Sequence, residues 1–169
     1  MKTIREIELR RRALNSAFDR ARSLSAVANA EAVQADYARY LCVLVSGFVE
    51  KATVELILEY AQDKAARPIQ SYLDANLRRL TNVDKDRLLR TIGALDATWQ
   101  EKLDQFIDDK RQQALNSIVG LRHDIAHGGG GGISLNQVAQ YWTTIQEIVD
   151  YLNTLLFPSL RSIQSKKKK

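Results

Sequence analysis

Apolar residues recur at spacings of three and four along most of the chain, and no segment sustains the apolar–polar alternation that a half-buried strand requires. The pattern predicts an all-α fold. It is clearest near the C-terminal end, where Val138, Tyr141, Trp142, Ile145, Ile148, Val149, Leu152, Leu155 and Leu156 form one stripe. Ser134 with Gln137 three residues on reads as a capping box for that helix, Ile133 and Val138 as a hydrophobic staple, and Pro158 as its stop. The segment holding Leu41, Leu44, Val45, Phe48 and Ala52 is apolar on nearly every side, which puts its helix at the centre of the fold. Gly47 lowers helix propensity in the middle of it, a cost that a closely packed neighbouring helix would offset.

Elsewhere the spacing predicts a first helix from about Ile4 to Leu24, a second from about Asn29 to Lys64, and a short one after Pro68. Another begins near Val83, with Asn82 or Asp84 as its cap. The stretch DRLLRTIGALDATWQEKL then leads into a helix from about Phe106 to His127, with Leu115, Ile118, Leu121 and Ile125 along its apolar stripe. No fixed-period repeat is visible. Tyr37, Tyr40, Tyr60 and Tyr72 fall at helical spacing and are assigned to packing rather than to base stacking.

Composition changes this picture little: 169 residues, 45% hydrophobic and 27% charged, suit one folded helical domain over 1–165 with a basic tail at 166–169. The single cysteine, Cys42, lies in the apolar run LCVLV, so neither a disulfide framework nor a thiolate metal cluster is expected, and a reducing cytoplasm fits best. The first fifteen residues mix acids with bases and resemble neither a secretory signal nor a transit peptide, and no apolar run is long enough to span a membrane. The formal net charge is +5, with Arg10, Arg11 and Arg12 near one end and Lys166 to Lys169 closing the other. Such ends suit a polyanion, or else are simply solvated.

Both histidines of the chain fall within LRHDIAHGGGGG, residues 121–132. The five glycines must end the preceding helix, because glycine takes the left-handed cap conformation freely and propagates helix poorly. His127 therefore sits at a helix C-terminus, beside the negative end of the dipole, and offers an imidazole as general acid or base. Arg122 lies five positions earlier, about 140° round the helix, so the two need not touch within one chain. Its planar fork suits a phosphate. Two such helices facing each other across a symmetric interface would gather two arginines and two histidines around one cleft. That set is sufficient for attack by an RNA 2′-hydroxyl on its own phosphate, which needs a base, an acid for the departing 5′-oxygen and positive charge for the phosphorane, without any required metal or cofactor.

At these residues the chain resembles a known family. LRHDIAHG is similar to the motif of the HEPN superfamily, in which an arginine, often followed by Asn, Asp or His, precedes a histidine by four to six residues; here Arg122 is followed by His123, and four residues separate Arg122 from His127. YLCVLVSGFVEKA, the LTNVDKDRLL region and ISLNQVAQYWTTIQEIVDYL look like the RiboL-PSP-HEPN branch, over most of 30–157. The resemblance implies a bundle of four to five main helices, homodimers with juxtaposed motifs and, in many members, metal-independent ribonuclease activity. It also implies RNA as substrate and, as a further partner, an antitoxin or a protein of a defence complex. Other members are non-catalytic modules that bind RNA or protein.

Each candidate also has a plainer reading. Arg122 and His127 would serve equally as a helix end where basic residues meet free carbonyls. His123 and His127, one turn apart, could share a metal, but the chain has no third histidine and Asp124 points elsewhere, so no metal is expected. Glu50, an acid in the central apolar helix, either orients Arg122 or reaches solvent. Asn116 and Ser117 either bond a phosphate or face water. The glycine run lacks the P-loop pattern and reads as a flexible loop. Were the motif purely structural, the chain would be a helical subunit of some larger assembly.

Overall fold

The computed structural model describes residues 2–24, 30–129 and 132–158. Among them run seven helices and no strand: α1 (Lys2–Ser23), α2 (Ala30–Lys64), α3 (Arg67–Leu77), α4 (Lys85–Gly93), α5 (Ala97–Phe106), α6 (Asp109–Ala126) and α7 (Leu135–Leu156). The fold is all-α, with α1, α2, α6 and α7 as its long members. No helix among the described residues is long and apolar enough to cross a membrane. Lys166 to Lys169 lie outside the described residues.

α2 occupies the centre that its all-round apolar pattern predicts, packing against α1, α3, α6 and α7. Leu41, Cys42, Val45, Leu56 and Ile57 on it are completely or almost completely buried, and each large aliphatic side chain removed from water contributes roughly 1.5–3 kcal/mol. α7 supplies the opposing stripe, burying Val138, Trp142, Ile145, Ile148, Val149, Leu152 and Leu156. Trp142 ties three helices together: its ring lies 6.4 Å from Phe18 of α1 and 4.8 Å from Phe48 of α2, while its indole N–H donates to Asn15 Oδ1 at 2.6 Å.

Short polar side chains set where helices begin. Ser134 Oγ accepts from Gln137 N and starts α7, although Gln137 turns its amide to Tyr141 Oη instead of closing the box; Ile133 and Val138 are both buried, as a staple requires. Asp84, not Asn82, caps α4 by accepting from Arg87 N, because Asn82 is in the left-handed region at φ 53°. The stretch predicted to lead into a helix from about Phe106 is split at Asp96, and that helix starts three residues later than expected, at Asp109. Asp96 accepts from Trp99 N and Asp108 from Arg111 N, so α5 ends at Phe106 and α6 starts at Asp109.

Three further expectations are overturned. Gly47 is not covered by a neighbouring helix; a Cβ built there meets nothing within 4 Å. Tyr40 and Tyr72 are 56% and 67% exposed and so do not fill the core, whereas Tyr37 and Tyr60 pack against it. Arg10 and Arg11 are neither a loose basic end nor free for a polyanion. Arg10 bonds Glu55 of α2, and Arg11 bonds Asp150 of α7 at 2.6 Å, so both join α1 to its neighbours.

Candidate active site

The end of α6 is built by its glycine. Gly128 stands at φ 75°, its N–H reaches Ile125 O at 3.2 Å, and the N–H of Gly129 reaches Asp124 O at 2.8 Å. This pair of bonds is the Schellman arrangement, which satisfies carbonyls that a helix end otherwise leaves free. His127, with φ −97° and ψ 14°, is the last residue before that turn. Its N–H is shared between His123 O and Asp124 O, both at 3.2 Å. The sequence expectation of a histidine at a glycine-terminated helix end therefore matches the structure, and the ring is exposed.

One helical turn back, His123 is exposed as well, and the two imidazoles lie 4.4 Å apart between centroids, tilted by 58°. Among the described residues neither ring has a hydrogen-bonded side-chain partner, and no group of three or more His, Cys, Asp or Glu side chains gathers there or elsewhere in metal-binding proximity.

Arg122 points to another side of α6 and is half-buried. Its Nη1 donates to Asn82 Oδ1 at 3.1 Å. Asn82 in turn is anchored through its backbone N–H, which donates to Glu50 Oε1 at 2.7 Å. Glu50 thus reaches Arg122 through an intermediary: α2 fixes the loop before α4, and that loop fixes the guanidinium. The left-handed backbone of Asn82 is one that asparagine tolerates better than most residues.

Electrostatically this arrangement differs from that of the arginines that tie one helix to another. Arg10, Arg11 and Arg111 each bond a carboxylate. Arg122 is held by a neutral amide oxygen, and no carboxylate bonds to it among the described residues. Its positive charge and its remaining N–H donors are thereby left for an anion, while its position is set.

Asn116 is not brought to Arg122 or His127. Its Oδ1 accepts from the backbone N–H of Lys85 at 3.1 Å, so it serves the first turn of α4 instead of facing a phosphate or only water. Ser117 joins Gly120, Asp124 and Gln137 in lining a cavity of about 340 Å³ between α6 and α7. Asn82 is the residue that sequence reasoning cast only as a cap candidate. Its signal was an asparagine two residues ahead of the true cap, Asp84, in LTNVD.

The family model described as RiboL-PSP-HEPN matches residues 5–157 of the chain. No curated protein and no solved structure matches it.

Proposed function

Because the chain belongs to the RiboL-PSP-HEPN family, whose model spans residues 5–157, we propose that it is a metal-independent endoribonuclease acting on RNA with Arg122 and His127. The observation that carries this reading is the way Arg122 is held: a half-buried acid, Glu50, fixes the backbone of Asn82, and Asn82 fixes the arginine without cancelling its charge. In the reaction a base removes the proton of a 2′-hydroxyl, the 2′-oxygen attacks the adjacent phosphorus, the bond from phosphorus to the 5′-oxygen breaks, and an acid protonates that oxygen. The products are a 2′,3′-cyclic phosphate and a 5′-hydroxyl. His127 takes part in proton transfer, Arg122 binds the phosphate whose charge builds up in the phosphorane, and His123 supports the neighbouring imidazole. A base and an acid are both needed, and a homodimer that brings two copies of α6 together supplies two histidines and two arginines to one cleft.

The second reading is a non-catalytic module that binds RNA or a protein partner with the same residues. It draws on the lack of an orienting hydrogen bond to either imidazole among the described residues.

Incubation of a mixed RNA pool in excess EDTA with wild type, Arg122→Ala and His127→Ala separates the two. The nuclease reading expects cleavage with cyclic phosphate ends by wild type and a loss of about 10²-fold or more in each variant, with unchanged thermal melting. Cleavage that survives both substitutions, or products ending in a 3′-hydroxyl, would overturn it. Binding of RNA by wild type with no turnover selects the second reading.

A further inference from the structure

A groove of about 470 Å³ lies between α1 and α2, lined mostly by aliphatic and aromatic side chains together with Arg10, Arg20 and Lys51. Leu14 and Ala17 form one wall, and Val43, Gly47 and Phe48 the other. Its volume falls within the roughly 300–1,000 Å³ typical of binding pockets, enough to take several side chains. Two large side chains stand open at it: Tyr40 is 56% exposed and Val43 38%.

The spacing on α2 is that of one helix face. Tyr40, Val43, Gly47 and Lys51 follow at intervals of three and four, a stripe of about 16 Å at 1.5 Å per residue. Gly47 sits near its middle with open space where a Cβ would be, and this is the position where the helix accepts a propensity cost without any neighbour packing on it in the chain itself. A glycine there lowers the wall and allows a close backbone approach from outside.

Charge decides what fits. Among the described residues no acid lines the groove, while Arg10, Arg20 and Lys51 do. Arg10 is bonded to Glu55, but Arg20 has only the hydroxyl of Ser16 and Lys51 has no bonded partner among the described residues. A second copy presenting the same face across a two-fold axis would set cation against cation. The chain's own terminal Lys166 to Lys169 carry the same sign. A nucleic acid would satisfy the cations but not the aliphatic walls, which offer only Tyr40 as an exposed ring for stacking.

We propose that this groove docks an amphipathic helix of a different protein, apolar on one face and bearing carboxylates along its margins. The groove shares no residue with Glu50, Asn82, Arg122 or His127, so the proposal does not rest on the nuclease reading.

The test uses the full-length protein and two fluorescein-labelled helical peptides of about 20 residues, with leucine at intervals of three and four and either glutamate or lysine on the flanks. A 2′-O-methylated RNA strand, which offers no 2′-hydroxyl to attack, serves as competitor. The glutamate peptide is expected to bind saturably and about tenfold more tightly than the lysine peptide. Gly47→Leu is expected to weaken it about tenfold by filling the groove, and Lys51→Glu to reverse the preference between the peptides. Gly47→Ala is expected to melt no lower than wild type, because a Cβ there meets nothing within 4 Å. Equal binding of the two peptides, no saturable binding of either, or binding indifferent to Gly47→Leu would overturn the proposal. So would a lowered melting temperature of Gly47→Ala, since it would mean the space is already filled. Displacement of the glutamate peptide by the RNA strand would reassign the groove to nucleic acid.

Discussion

Asn82 holds two things at once: a left-handed turn at φ 53° and the oxygen that receives Arg122. Substitution separates them. Asn82→Gly keeps the turn, since glycine adopts positive φ freely, but removes the oxygen; RNA cleavage is expected to fall about tenfold to a hundredfold as the arginine loses its fixed position, with melting close to wild type. Asn82→Ala should lose the same activity and, in addition, roughly 1–2 kcal/mol of stability from the strained backbone. Full cleavage by Asn82→Gly would remove Asn82 from the positioning role. Cys42 supplies a second residue-level expectation. Burial pushes its thiol up from 9.0 to about 11, and its Sγ faces Ile118 O at 3.7 Å. The folded chain therefore keeps a proton that the unfolded chain releases, so the contribution is complete below about pH 9 and declines as pH rises from there to about 11. Melting of wild type should fall more steeply across that window than melting of Cys42→Ala, which retains every other alkaline titration. Parallel curves would contradict it.

At the scale of the helix, two glycines make opposite predictions for the same substitution. Gly128 ends α6 at φ 75°, so Gly128→Ala should cost about 1 kcal/mol or more and lower the melting temperature. Gly47 lies in open space inside α2, so Gly47→Ala should raise it, by up to about 1 kcal/mol of helix propensity. Thermal melts of the pair check both signs. The contrast also marks what was legible in the sequence. The α7 stripe, the Ser134 cap and the glycine stop after His127 are local patterns, complete within a few residues, and each was readable. The break at Asp96 was not, because an aspartate in an amphipathic run reads as polar face just as readily as cap. Arg122 and His127 were legible as a motif and Glu50 as an acid that could orient the arginine, but not what joins Glu50 to Arg122. Its partner Asn82 is 40 positions away and the anchor of Asn82, Glu50, a further 32, so only tertiary packing brings them together. The same distance in sequence hid the bonds of Arg10 to Glu55 and of Arg11 to Asp150, which turn an apparent basic end into a clamp between helices.

For the molecule as a whole, the proposed chemistry makes activity depend on association. One copy of α6 offers one Arg122 and two adjacent imidazoles on an exposed helix end, and a cleft shared by two copies exists only above the dimer dissociation constant. Specific activity should therefore drop on dilution in step with the dimer fraction seen by sedimentation; full activity in a strictly monomeric sample would falsify the shared cleft. The chain that holds Arg122 has a different consequence, for descent. Glu50, Asn82 and Arg122 come from α2, from the loop before α4 and from α6. A recombination breakpoint anywhere between positions 50 and 122 can split them between parents. Where the parents differ at these sites, the chimaera keeps its helices but loses the hold on its arginine. In a lineage of such chains positions 82 and 122, joined side chain to side chain, should change together, while position 50 need only keep an acceptor for the backbone N–H of position 82.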